Sequence, residues 1–451
     1  VKNEKKRRLA VYSQYRLVTL LFLLGLLLRC FFFYYFTQYD QRAWLCYDSE
    51  QYHQRALSIA KIGQLTEPDS TQKAYRVPGY PLLLAAGYAC TDNNVHVVLW
   101  LQVVLAAFIP VLIFMLASAL FPAHGKLALM AMFLASVHTG LVLFAGMLAT
   151  ETVAVLLFLV FLLSLCWFQQ ARQLRFLLLA ACTLGALSLV RPIGHYVLIL
   201  TLVWLWWQHV NVRQIGLFAS TWGLCVAPWL VRNLLVVGGI CFHTLPGIHF
   251  LQYTAASVVM QRDHCEYVPA RSKLLALWEE TAQKHGLTNE FGYCLCAEKI
   301  ALQHIKNHPI YAAKHGATEL FKTLCSLHSS QIILADVGTW PVYTTRTTWL
   351  EKIIYNLAPP LKTWWLRYVI YADVCMALFL LLGSLFGLFM VCLQRQLSAA
   401  IGLCVLAAGL LWSLTVAYGC ARLRLPIEPI MIILASYGAS YAFNWMVAKM
   451  R

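Results

Sequence analysis

The sequence predicts an all-α polytopic membrane protein. It has about ten transmembrane helices, amphipathic juxtamembrane helices in a first outer loop, and a large, mostly helical extracytoplasmic loop. Three observations carry this. Of the 451 residues, 60% are hydrophobic and only 12% charged, whereas a soluble domain carries about 25% charged residues. Apolar runs near the twenty residues that a helix needs to cross a hydrocarbon core recur along the chain. Basic residues gather at alternate ends of those runs, the pattern of an oriented membrane protein.

The runs are 17–36, 95–120, 127–147, 150–168, 174–190, 193–209, 213–236, 368–393, 397–416 and 426–445. The first follows Lys2, Lys5, Lys6, Arg7, Arg8 and Arg16. Its length suits a full span rather than the short core of a signal peptide, and no small-residue cleavage site follows it, so it is expected to stay attached. With the N-terminus inside, the inner links hold Lys126, Arg172 and Arg175, Arg213 and Arg395, and the tail holds Lys449 and Arg451. An even number of spans returns the C-terminus inside. The chain then divides into 1–236, a transmembrane module with the first outer loop at 37–94; 237–367, an extracytoplasmic lobe; and 368–451, the C-terminal spans. The net charge of +16 is explained by orientation and by attraction to anionic lipid or ligand. No Lys/Arg stripe is interleaved with stacking aromatics, which excludes nucleic acid as a partner.

The first outer loop is wet and structured. Over 48–63 the residues Tyr52, Ala56, Ile59, Ala60 and Gly63 fall on one helical face, with Asp48 at the N-terminal position and Gly63 closing the helix. The segment 79–90 is apolar but too short to cross, and reads as a re-entrant or juxtamembrane helix. The lobe is expected to hold helices near 294–306 and from Pro309 to Leu327, and Cys241, Cys265, Cys294, Cys296 and Cys325 could form disulfides if it faces an oxidising compartment.

Ionisable groups at membrane depth are costly, and so point to function or pairing. The spans read as nearly free of charge. Asp48, Arg76, Glu151, Arg191, Arg232, Arg422 and Arg424 all fall at the outer ends of spans under this topology. Guanidinium forks match phosphate oxygens, and a carboxylate near an apolar boundary can serve as a base. Each residue also has a plainer reading. Asp48 could simply cap its helix; Glu151 could pair with Arg191; Arg76 and Arg191 could snorkel to headgroups. Arg422 and Arg424 would not share a helical face, so one could contact a lipid headgroup or backbone carbonyls. Asp40 reads as a solvated turn. Tyr80 and Tyr343 are candidates for stacking on a sugar.

The stretches DSEQYHQRA from Asp48, YRVPGYP from Tyr75, MLATETVAVLLF around Glu151, LVRP at Arg191, PWLVRN at Arg232 and ARLRLPIEPIMIILA from Ala421 together resemble bacterial membrane glycosyltransferases of the C-type (GT-C) fold. The nearest groups are the protein O-mannosyltransferase-like and lipid A aminoarabinose transferase-like families. The resemblance covers roughly 15–255 and 300–445, and 256–300 matches nothing. It implies an inverting transfer from a polyprenyl-phosphate-linked sugar donor to a hydroxyl on a lipid, protein or glycan acceptor, at the outer face of an inner (plasma) membrane. It implies Asp48 as the base, Glu151 as the acid that orients the acceptor or shares a divalent metal ion with Asp48, and Arg76, Arg191, Arg232, Arg422 and Arg424 at the carrier phosphate. This chain reads Asp48-Ser49-Glu50 where many relatives carry an Asp-Glu pair, so Glu50 competes with Asp48. The rival readings are a lipid-linked glycan flippase or transporter, and a glycan polymerase or ligase using diphosphate-linked donors.

Overall fold

The computed structural model describes residues 2–39, 48–65, 72–330, 332–333, 359 and 361–450. Every apolar run is helical. This is the physical requirement of lipid, where each backbone N–H and C=O must be satisfied within its own segment. In chain order the helices are α1 (Lys2–Tyr39), α2 (Ser49–Ile62), α3 (Gly79–Cys90), α4 (Val95–Ala106), α5 (Ile109–Leu120), α6 (Gly125–Val137), α7 (Thr139–Leu143), α8 (Glu151–Ala171), α9 (Leu174–Val190), α10 (Gly194–Trp207) and α11 (Val212–Val237). The lobe follows as α12 (Leu245–His249), a π-helical turn (Phe250–Ala255), α13 (Ala256–Asp263), α14 (Tyr267–Lys284), α15 (Glu290–Asn307) and α16 (Pro309–Cys325). The chain closes with α17 (Leu366–Leu393), α18 (Ala399–Ser413), the short α19 (Ala421–Arg424) and α20 (Glu428–Met450).

The molecule is a multi-pass membrane protein, and among the described residues its apolar helices fall into two length classes. Among the described residues, six helical segments have 18 residues or more and are apolar enough to cross: Ser13–Gln38, Val95–Leu120, Glu151–Ala171, Val212–Val237, Leu366–Leu393 and Glu428–Met450. A seventh is α6 with Thr139–Gly146, bent by 57° at His138. The helices α9, α10 and α18 have 17, 14 and 15 residues. At 1.5 Å rise per residue they reach about 21–26 Å, against a core about 30 Å thick; Arg191 at the end of α9 nonetheless faces Glu151 at the start of α8, so α9 returns the chain to the side that α8 left.

Packing fixes where the ends meet. The α8 span is the most enclosed; α1 and α11 lie at the periphery. The close approach of α17 and α20 depends on glycine, as helix packing in lipid often does: a Cβ on Gly387 would stand 1.9 Å from the Leu434 carbonyl oxygen. The α2 helix buries Tyr52, Arg55, Ala56 and Ser58 on one side. Gly63, at φ 68°, ends it in the left-handed region, as the sequence suggested. Tyr52 sets its ring edge-on to Tyr80 of α3 at 5.3 Å. The start of α3 in turn abuts the end of α9, where a Cβ on Gly79 would lie 2.7 Å from the Leu189 carbonyl oxygen.

The lobe has its own small core, with Leu251, Val259, Leu274, Ala297 and Ile300 at its centre. Its helices near 294–306 and 309–327 were anticipated; α12 to α14 were not. Cys241, Cys265, Cys294, Cys296 and Cys325 are free thiols.

Candidate functional site

Five of the residues singled out from sequence meet at one end of the bundle. Asp48 occupies the N-cap position of α2, yet its side chain makes no capping hydrogen bond. The carboxylate is instead gripped from two sides. Arg76 Nη2 donates to Oδ1 at 2.6 Å, and Arg422 Nη1 donates to Oδ2 at 3.2 Å. Glu151 is the first residue of α8, where a carboxylate suits the helix dipole. Arg422 Nε donates to its Oε1, and Arg191 Nη1 faces the same oxygen at 3.3 Å. The Arg422 guanidinium therefore bridges both acids. Two carboxylates against three guanidinia leave the cluster with one positive charge in excess.

Exposure separates the two acids. The Glu151 side chain is 0% accessible and that of Asp48 is 31% accessible. Only Asp48 can meet a substrate in this conformation. Burial alone would push its carboxyl up; Arg76 and Arg422 outweigh that and hold it below the usual carboxylate range. Arg76 is itself fixed by Gln51, whose Oε1 accepts from Nε at 3.0 Å, and by the rings of Tyr75 and Tyr52 at 5.1 and 5.5 Å. From the lobe, His249 is pressed down to about 4, first by burial and then by Arg76, so it stands beside the cluster as a neutral imidazole.

The other expected site residues lie elsewhere. Arg232 donates to the Lys73 carbonyl at 2.8 Å and stacks on Trp229. Arg424 is turned away from Arg422, as two residues' separation on a helix demands. It donates to Glu428 Oε1 at 2.7 Å and to the Thr323 and Ser326 carbonyls at 3.0 Å. Tyr80 is fully buried and donates to Gln102 Oε1 at 2.9 Å, which leaves no face for a sugar. Glu50 is exposed and accepts from Gln54 at 2.7 Å, apart from the cluster. Asp40 and Tyr343 lie outside the described residues.

The spans are less free of charge than the sequence reading held. Arg29, Asp373 and Glu428 are all buried within them. Arg29 donates to the Gly25 carbonyl at 2.9 Å, and Asp373 accepts from Ser329 N–H at 2.7 Å. Glu428 gathers Arg424, His328 (Nε2 to Oε1, 2.7 Å) and His138 (Nε2 to Oε2, 3.5 Å). Each charge sits inside an apolar run, and an intramembrane ionisable residue is a signal that could have found them.

Two places were tested for a divalent metal. Between Asp48 and Glu151 the guanidinium of Arg422 already stands as the shared cation, and those carboxylates do not fit an ion in this arrangement. His138, His328 and Glu428 place three ligand atoms within 4.8 Å of one another, close enough for one ion. An ion there would displace the proton that His328 shares with Glu428. It would also require His138 Nδ1 to give up the hydrogen bond it accepts from Leu141 N–H, since a neutral imidazole ligating through Nε2 carries its proton on Nδ1.

No family model and no curated protein matches the chain. Solved structures do. The archaeal oligosaccharyltransferase AglB from Archaeoglobus fulgidus, in complex with an inhibitory peptide and a dolichol-phosphate, aligns with a TM-score of 0.54 at 12% identity, over 98% of this chain and 51% of that one. The chain shares its fold with AglB. A second structure of the oligosaccharyltransferase from that organism, in complex with Zn and sulfate, aligns at 0.51 and 13% identity, covering 95% and 49%. ArnT from Cupriavidus metallidurans, bound to undecaprenyl phosphate, aligns at 0.41 and 14% identity, covering 94% and 78%. The chain spans about half the length of AglB. The likeness to AglB is one of fold, over nearly the whole of this chain.

Proposed function

We propose that this protein is an inverting glycosyltransferase that moves a sugar from a polyprenyl-phosphate carrier to an acceptor hydroxyl, at the extracytoplasmic face of the membrane. The observation that supports it best is the bridging of Asp48 and Glu151 by Arg422, in a cluster with one positive charge to spare. AglB, with the same fold, is described in complex with a dolichol-phosphate, a ligand of the same chemical class as the proposed carrier.

In this reading Asp48 takes the proton of the acceptor hydroxyl. The acceptor oxygen forms its bond to the anomeric carbon as the bond from that carbon to the carrier phosphate breaks. The phosphate leaves with added negative charge, and preorganised guanidinia act where that charge develops. Arg422 is the chief donor to it, with Arg76 and Arg191 beside it. Glu151, sealed from solvent, acts by holding Arg422 in place. In the resting cluster Asp48 is a weak base because two guanidinia hold it ionised. A phosphate that draws Arg422 toward itself removes one of them and raises the basicity of Asp48. Donor binding thus arms the base. The charge of Arg422 takes the place that a metal shared by Asp48 and Glu151 would fill.

The test is transfer from a radiolabelled polyprenyl-phosphate sugar by the purified protein in lipid nanodiscs. Asp48→Asn keeps size and one of the two acceptor oxygens but cannot take a proton. Its expected effect is a loss of about 10²–10⁴-fold in turnover, with donor binding retained. Unchanged transfer by Asp48→Asn refutes the assignment of the base.

A further inference from the structure

The backbone that carries Arg76 is held by the lobe rather than by its own helix. Glu290, the first residue of α15, reaches across to residues 73–74. Its Oε2 accepts from Lys73 N–H at 2.5 Å and from Ala74 N–H at 3.0 Å. Its Oε1 accepts from the Thr244 hydroxyl. Thr244 N–H returns a bond to the Ala74 carbonyl at 3.0 Å, and Arg232 donates to the Lys73 carbonyl at 2.8 Å. Both N–H groups and both carbonyls of Lys73 and Ala74 are therefore tied to residues more than 150 positions away. Two residues later stands Arg76, with its 2.6 Å contact to Asp48. No regular secondary structure runs through 72–78, so these tethers, with the Arg55 bond to the Gln72 carbonyl at 3.1 Å, fix the backbone from which Arg76 reaches Gln51 and Asp48. Asn289 secures Glu290 in turn, its Oδ1 accepting from Gly292 N–H at 2.6 Å to cap α15.

We infer that Glu290, with Arg232 as its counterpart on α11, is a positioning residue that sets Arg76 against Asp48 from outside the charge cluster. This rests on the function proposed above for its catalytic meaning, but not for its geometry. A carboxylate accepting backbone N–H bonds forms some of the stronger hydrogen bonds in proteins. It also explains the place of Arg232 in the molecule: not at a phosphate, but on the segment that delivers Arg76.

The test uses the full chain in nanodiscs, with Glu290→Ala and the isosteric Glu290→Gln. Hydrogen–deuterium exchange of a peptide covering 72–78 is expected to quicken about tenfold or more in Glu290→Ala, and less in Glu290→Gln, which keeps one acceptor oxygen. Unchanged exchange overturns the clamp. In transfer assays Glu290→Ala should lower kcat by more than tenfold while the KM for donor moves less than threefold, with Glu290→Gln restoring part of kcat. Faster exchange with unchanged kcat would show a loop tether with no bearing on Arg76, and overturns the positioning role. A third reading needs no activity. The energetic coupling between Arg76 and Asp48, measured by a double-mutant cycle in unfolding, should fall at least about twofold in the Glu290→Ala background. If the wild-type chain transfers no sugar, the proposed function fails, and exchange and coupling still decide this inference.

Discussion

Replacing Arg422 with Gln removes the one group that neutralises two acids. Glu151 is completely buried, and its Oε2 already lacks a hydrogen-bond partner. Stripping a partner from a buried ion pair costs about 3–5 kcal/mol, because the remaining charge is left in a poor medium. Here Arg191 still faces Glu151 at 3.3 Å and Arg76 still holds Asp48 at 2.6 Å. The expected loss is therefore at the low end, about 3 kcal/mol. Most of it should vanish when the orphaned charge is removed as well. The double variant Arg422→Gln/Glu151→Gln should be more stable than the sum of the single effects predicts, by about 2 kcal/mol. The assay is reversible unfolding in mixed micelles, run as a double-mutant cycle. Additivity within about 0.5 kcal/mol would refute the bridge. The same variant has a pH signature. Asp48 is pushed up by burial but held down, on balance, by Arg76 and Arg422. A carboxyl depressed in the folded state adds stability above its unfolded pKa and gives it up as pH falls through the folded value. Without Arg422 the folded value rises toward the unfolded one, so the acid-induced loss contributed by Asp48 should be smaller than in the wild type and complete at higher pH.

Two further outcomes are expected. Tyr80→Phe leaves Gln102 Oε1 without the donor it now has at 2.9 Å; it should cost about 1–3 kcal/mol in unfolding and leave the KM for donor and acceptor unchanged, whereas a raised KM would return Tyr80 to the sugar site. Gly387→Ala drives a methyl into the Leu434 carbonyl and forces α17 from α20, at a cost of about 1–3 kcal/mol; Gly402→Ala, which meets nothing within 4 Å, is the control, and equal stabilities would show that the glycine contact does not hold those helices.

Local pattern made much of this molecule legible in advance. Apolar length and turn chemistry located the helices, and Gly63 ended α2 as a left-handed cap should. The alternation of basic ends put Asp48, Arg76, Glu151, Arg191 and Arg422 on one side before any contact was known. What the pattern could not weigh was competition among partners. Arg422 and Arg424 look alike in sequence, yet one faces two acids and the other faces carbonyls left open at the end of α16 and beyond. Arg232 sits at a span end like the others, but its guanidinium is consumed by the backbone of Lys73. The Glu428 cluster joins His138 to a residue 290 positions away and His328 to one 100 away, and no spacing rule reaches across such distances.

The opposed directions of Arg422 and Arg424 bear on how the cluster can respond. Three carbonyls and a buried carboxylate hold Arg424, and through it the whole of α19. The backbone beneath Arg422 has nowhere to go. Any exchange of Asp48 for another anion falls to rotations within the Arg422 side chain. Arg422 is 13% accessible and paired to two acids, so a change of partner means turning a guanidinium on a fixed mount rather than moving the loop that carries it.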